Sequence, residues 1–389
     1  SGSFEGNYLY RNQIMQSLIK HRIEIGLWLA ICVAIASILV MSLAPMDDFN
    51  NVHKALYWFT HGYDVYQEDY TTSDPHYLYS PGGTVLLAPI GFITHYATAH
   101  RVFSLINALA IIIASALILK KINIVDWKRP AIILALLVTT PVYKSITLGN
   151  VNGLLLLGIV GVYLLLDNRK DIPSGIILGL IAVIKPMFAP IIVIALVAFY
   201  WKTAASSVLT FITVNVIGYQ LVPDSHAYRE IVVPYVSVPR PYYNPSLQGL
   251  AAEFGWNSAL LTTTVIIVTA LFLASVALSY PVWKENKYDW LVIMSTVTLA
   301  GVWLLSSLGQ GYYSLFLIPI VITFNKMYSP LSSMIGILGF ALTFYPLNWG
   351  SHTKNMYIAT TEWIIFIIGA VIVFAKYNYS KVLESEKTA

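Results

Sequence analysis

Residues 25–44 run for 20 positions without a charge. As a helix rising about 1.5 Å per residue, such a run matches the roughly 30 Å hydrocarbon core of a bilayer. Further apolar runs follow at about 102–119, 130–148, 151–166, 203–222, 258–283, 288–309, 312–325, 329–346 and 357–375. Charged residues make up only 11% of the 389 positions and hydrophobic ones 57%, where a soluble domain carries about 25% charge. A soluble chain of this size cannot hide that much apolar surface. The pattern excludes a soluble enzyme, a disordered chain and a disulfide scaffold, since Cys32 is the single cysteine. It predicts an all-α polytopic membrane protein. The net charge of +4 is small and dispersed, which fits loop anchoring and argues against a nucleic-acid partner.

Arg11, Lys20, His21 and Arg22 precede the first run, so the positive-inside rule predicts a cytoplasmic N-terminus. Placing the basic clusters at 120–129, 169–170, Lys202, 284–287, Lys326 and 376–381 on the same side gives a consistent map with a cytoplasmic C-terminus. Two segments resist simple assignment: 81–97 is short, and 172–201 is long and broken at Lys185-Pro186. Each reads either as a re-entrant hairpin or as a span, so the expectation is ten to thirteen membrane helices. The two long hydrophilic segments, about 45–80 and 223–257, then face outward. No repeat or low-complexity stretch divides the chain, so one membrane domain is expected over 4–389. Residues 1–3 (SGS) lack a start Met and read as a scar of tag removal.

Chemistry is expected in the outer segments. Asp47 and Asp48 stand where the first span ends, and adjacent carboxylates at a membrane interface are costly unless solvated or used. They fit either an acidic cap on a following amphipathic helix or a general base for an acceptor hydroxyl. The stretch DPHYLYSPGG at 74–83 sets His76, Tyr77 and Tyr79 among turn residues. Such aromatic rings with interspersed hydrogen-bonding groups suit a sugar, with apolar faces for ring carbons and polar groups for hydroxyls. Lys185 is the only charge between Asp171 and Lys202. A mid-membrane Lys costs roughly 2.5–3.5 kcal/mol even on insertion scales, so it either snorkels to an interface or faces an anion such as a lipid-borne phosphate. Asn150 and Asn152, Arg240, and Gln310 with Tyr312 and Tyr313 mark further outer turns.

These motifs resemble the GT-C polyprenyl-phosphate-dependent glycosyltransferases, and among them the polyprenyl-phosphomannose-dependent α-mannosyltransferases. DDF at 47–49, GYDVY at 62–66, DPHYLYSPGGT at 74–84, NVNG at 150–153, IKP at 184–186 and SLGQGYYS at 307–314 are more similar still to one group, the branching α-(1→3)-arabinofuranosyltransferases of arabinogalactan and lipoarabinomannan assembly. The motifs run in order over about 45–320, with Ser80 where a Pro-Pro-Gly-Gly would have its first Pro. The resemblance implies a GT-C fold and a plasma-membrane protein with its active site outside. It implies a decaprenyl-phosphoryl-β-D-arabinofuranose donor and transfer to O3 of an arabinan acceptor with inversion. The lipid-linked sugar is a substrate, and no cofactor is expected. The catalytic acid residue is carried to Asp48, with Asp47 orienting it or binding acceptor. Lys185, His76 and Arg240 are assigned to the donor phosphate; Tyr77, Tyr79, Tyr312 and Tyr313 line the sugar pocket, with Asn150, Asn152 and Gln310 among the donor-binding residues. No Asp-x-Asp pair stands in the outer loops, so metal independence is expected. Two other readings remain: a mannosyltransferase with a polyprenyl-phosphomannose donor, and a lipid-linked-sugar flippase. A transporter, however, usually shows internal repeats and midplane charges in both halves.

Overall fold

The computed structural model describes residues 2–41, 48–72, 74–344 and 352–388. Among the described residues all regular structure is helical. In chain order it comprises α1 (Gly2–Met41), α2 (Asp48–Thr60), α3 (Pro81–Leu87), α4 (Tyr96–Lys121), α5 (Lys128–Leu137), α6 (Thr140–Thr147), α7 (Asn152–Asp167), α8 (Asp171–Ile184), α9 (Ala189–Val197) and α10 (Trp201–Leu221). The second long loop contains α11 (Leu247–Phe254), and after it come α12 (Ser258–Leu278), α13 (Lys287–Leu305), a 3-10 segment (Gly311–Thr323), α14 (Met334–Thr343) and α15 (His352–Thr388). Shorter turns of helix connect them.

The ten to thirteen expected membrane helices fall into two classes. Six are long and apolar enough to cross a bilayer, in α1, α4, α10, α12, α13 and α15, or seven if α5 and α6, bent by 66°, form one span. The others are short apolar helices of 10–17 residues, among them Pro81–Phe92, Asp171–Ile184 and Pro186–Val197. Proline sets several of the breaks, because it lacks an N–H and clashes with the preceding turn. Pro141 stands at the start of α6 and Pro186 directly after α8.

Cross-helix hydrogen bonds fix the path of the broken 172–201 segment. Thr203 Oγ1 donates to Asp171 O at 3.0 Å and Ser206 Oγ to Ile172 O at 3.3 Å. The start of α10 therefore lies beside the start of α8. The chain enters along α8, turns at Lys185-Pro186, and returns along α9 to the side it left. Of the two options open in the sequence, this is the hairpin, with Lys185 at its tip. At about 1.5 Å per residue, the 14 residues of α8 lift that tip roughly 20 Å.

The 81–87 segment wedges against the same tip. Ser80 caps α3 by accepting from Gly83 N, while its Oγ donates to Val183 O at 3.1 Å. A side chain at Gly218 would collide with the backbone of Pro81 and Gly82, so glycine is what lets α3 and α10 meet backbone to backbone. The Pro-Gly-Gly motif thus holds the hairpin tip in place.

Ion pairs gather at the end of the bundle opposite the long loops. Lys121 pairs with Asp167, Lys326 Nζ lies 3.6 Å from Asp289, and Lys381 Nζ lies 3.3 Å from Glu285. Tyr328 donates to Asp289 at 2.6 Å in the same layer. The basic clusters that ordered the topology by charge share this face, and the two long loops share the other.

Candidate active site

Asp48 begins α2, where a carboxylate complements the positive end of the helix dipole. Phe49 anchors it: its N–H donates to Leu148 O at 3.1 Å, and its ring, fully buried, packs on His53, Tyr96, His100 and Phe103 at centroid distances of 5.2–5.9 Å. Gly149 admits this contact. Its φ is +61°, and a Cβ there would stand 2.6 Å from Phe49 Cβ. The turn 148–152 is therefore pressed against the start of α2.

Lys185 approaches from the hairpin tip. Its Nζ donates to Asn152 Oδ1 at 2.6 Å and lies 4.6 Å from the Tyr313 ring centroid and 6.0 Å from that of Tyr312. A charge-assisted hydrogen bond contributes about 1.5–3 kcal/mol and a desolvated cation–π contact about 2 kcal/mol. Together these offset much of the cost of a membrane lysine, with no carboxylate within ion-pair distance of it among the described residues. Asp48 is nonetheless within electrostatic reach. Tyr312 joins the two sides, since its hydroxyl donates to Asp48 Oδ2 at 3.0 Å. Tyr79 lies within electrostatic reach of both Asp48 and Tyr313.

Asp48, Tyr79, Lys185, Gln310 and Tyr312 are each partly accessible, so this cluster lines a recess rather than a core. Asn150 adds a donor: it is 3% exposed and its Nδ2 has no hydrogen-bond partner among the described residues, while its Oδ1 accepts from Asn152 N at 3.3 Å. The ammonium group and the unsatisfied Asn150 amide are linked through Asn152, which bonds both residues, a set of donors suited to an anion. Opposite stands a carboxylate held by a phenol. Gln310 opens the 3-10 segment, its carbonyl accepting from Tyr313 N.

His76 and Arg240 sit in a second cluster, where the two long loops join. His76 Nδ1 contacts Glu68 Oε2 at 3.3 Å, and its ring packs on Tyr70 and Tyr235. Arg240 lies over the Tyr235 ring at 4.2 Å and donates to its hydroxyl. Burial first, and then Glu68, pushes the Tyr70 phenol up, so it stays protonated and donates to Tyr77 O at 2.8 Å. Arg240 reaches Tyr313 electrostatically. Tyr77 is fully buried, its hydroxyl paired with Thr84 Oγ1 at 2.9 Å. Asp47 lies outside the described residues.

Over residues 77–307 the sequence matches glycosyltransferase family 87, a stretch that takes in Tyr77, Tyr79, Asn150, Asn152, Lys185 and Arg240. The chain belongs to that family. It is a membrane-embedded glycosyltransferase, with a sugar donor and a glycan acceptor as substrates. It is 32% identical over 349 residues to a protein of Mycobacterium tuberculosis named alpha-(1->3)-arabinofuranosyltransferase, a match that covers 86% of this chain and 80% of that one. It is 35% identical over 290 residues to a protein of the same name from Corynebacterium glutamicum, covering 74% and 69%.

The family 87 fold also uses residues that sequence reasoning passed over. Asp224, 8% exposed, accepts from Val65 N at 2.8 Å and Tyr66 N at 2.7 Å, pinning the GYDVY turn to the second loop. Glu68 accepts from Tyr77 N at 3.1 Å. Asn107 Oδ1 accepts from Leu154 N at 3.0 Å, satisfying a donor in the first turn of α7. Glu362, 7% exposed, sits on α15 beside Trp363, whose indole donates to Ser314 Oγ at 2.9 Å. It is the only acidic residue from 290 to 383, and a lone carboxylate in an apolar span is as costly as a lone lysine.

Proposed function

We propose that this family 87 glycosyltransferase transfers D-arabinofuranose from decaprenyl-phosphoryl-β-D-arabinofuranose to O3 of an arabinan acceptor with inversion, on the outer face of the plasma membrane and without a metal. The observation that carries the reading is the pairing across one recess of Asp48, held by Tyr312, with Lys185, held by Asn152. The names of the relatives support the sugar and the linkage.

In the proposed reaction Asp48 takes the proton from the acceptor O3 hydroxyl as that oxygen attacks the anomeric carbon. The C1–O bond to phosphate breaks, and its electron pair leaves with the decaprenyl phosphate. Lys185, with Asn150 Nδ2 beside it, holds that phosphate in place. A single displacement turns a β donor into an α product, and a phosphate leaving group needs no general acid. A separate recess of about 560 Å³, lined by Pro239, Gln248, Ala252, Leu261, Val265 and others, has the apolar character to take isoprene units. The basic-loop face, with both termini, is cytoplasmic in this reading, and 4–389 acts as one catalytic domain.

The direct test presents the purified protein in nanodiscs with labelled decaprenyl-phosphoryl-arabinofuranose and, separately, labelled polyprenyl-phosphomannose. Label should pass from the first donor to an arabinan oligosaccharide, undiminished by a chelator. Preferential transfer of mannose would replace the sugar assignment while keeping the site.

A further inference from the structure

Tyr242 and Tyr243 lie in the second long loop with φ of 69° and 55°. Left-handed backbone is rare for side chains of this size, and turns that need it ordinarily take Gly or Asn. Four other non-glycine residues adopt positive φ, each singly, so this is the only consecutive pair among the described residues. The conformation is held from both flanks. Glu253 Oε2 accepts from Tyr242 N at 2.7 Å. Asn244, 1% exposed, donates to Arg240 O and Ser307 O and accepts from Gly309 N, all at 2.8–2.9 Å.

What this costly backbone achieves is outward display of two aromatic rings. They are 59% and 51% exposed, set edge to face at 76° with centroids 4.4 Å apart. Their hydroxyls hydrogen-bond, which pushes the Tyr243 phenol up and ties the two rings together. Strain retained in a surface turn is found where function demands it. The location is specific too. Asn244 bolts the turn to Ser307 and Gly309, and the same strand of chain reaches Tyr312, the phenol on Asp48, three residues later. The pair therefore stands on a turn bolted directly to the segment that carries Tyr312 to Asp48.

We propose that Tyr242 and Tyr243 form a platform for the acceptor glycan, holding sugar units adjacent to the one that receives the transferred residue. Ring C–H faces of a sugar stack on exposed aromatic faces, and the phenol hydroxyls hydrogen-bond its hydroxyls. The platform rests on the proposed arabinan acceptor for the identity of the glycan, and on geometry for its place.

The test is calorimetric binding of arabinofuranosyl oligosaccharides of increasing length to the full chain in nanodiscs without donor, run beside transfer kinetics. Tyr242→Gly with Tyr243→Gly should weaken binding of the longer oligosaccharides roughly 10-fold, the scale of two lost aromatic contacts. Donor KM and transfer to a disaccharide should stay unchanged. The melting temperature should hold or rise, because glycine adopts positive φ without strain. Tyr242→Asn with Tyr243→Asn, also tolerant of this backbone, should behave alike, and Tyr242→Phe with Tyr243→Phe should bind within a few-fold of the parent. Unchanged oligosaccharide affinity in the folded Gly and Asn variants would overturn the platform and assign the pair to the lipid–water interface, with the transferase reading intact. Platform-dependent binding in a protein that transfers no arabinose would uphold the platform and sink the proposed donor instead.

Discussion

Asp48→Asn is expected to lower kcat for sugar transfer by about 10²–10⁴-fold, the range contributed by a positioned general base, while donor affinity stays within a few-fold. Asparagine keeps the shape of the side chain and can still accept from the Tyr312 hydroxyl, which donates to Asp48 Oδ2 at 3.0 Å. The amide has no basic oxygen to take a proton, so the loss isolates proton abstraction from positioning. Phe49, buried in its aromatic nest, fixes the backbone independently of residue 48, so the variant should melt close to the parent. Turnover measured with saturating donor and acceptor checks this. Near-parent turnover in Asp48→Asn, together with its collapse in Asp47→Asn, would move the base to Asp47.

Lys185 tests the other wall of the recess. Lys185→Gln removes the charge but leaves an amide able to donate to Asn152 Oδ1, now 2.6 Å from the ammonium nitrogen. Lys185→Ala would strand that buried oxygen and mix a folding defect into the result. Loss of one charged hydrogen bond to phosphate is about 1.5–3 kcal/mol, so donor KM for Lys185→Gln should rise roughly 10- to 100-fold with a smaller change in kcat. A fall in kcat at unchanged donor KM would show instead that the charge acts on the departing phosphate in the transition state. Arginine is not a neutral substitute, because its planar fork does not fit where a compact ammonium sits against two tyrosine rings.

The helices that cross the membrane were legible because their signal is local: length, charge and the proline breaks are all written in consecutive residues. Lys185 was legible for the same reason, as a single charge in an apolar stretch. Whether 172–201 returns or crosses was not, because the answer lies in Thr203 and Ser206 meeting Asp171 and Ile172 some thirty residues away. The division of the candidate residues into two clusters was equally hidden. His76 and Tyr77 are neighbours in sequence, yet one turns to Glu68 and Tyr235 and the other into the core against Thr84. Asp224 carries no local signal at all, because the N–H groups it binds, those of Val65 and Tyr66, lie more than 150 residues away. Glu362 was legible from sequence as a single acid in an apolar span, although that span lies beyond the motif-bearing stretch of about 45–320.

The central claim is that the reacting sugar lies between Asp48 and Lys185. The most direct measurement is a structure of the full chain with a non-hydrolysable decaprenyl-phosphonyl arabinofuranose analogue bound. The account predicts the phosphonate on Lys185 Nζ and Asn150 Nδ2, with the anomeric carbon facing Asp48 across the recess. A phosphonate seated instead on His76 and Arg240, with the sugar turned away from Asp48, would contradict it.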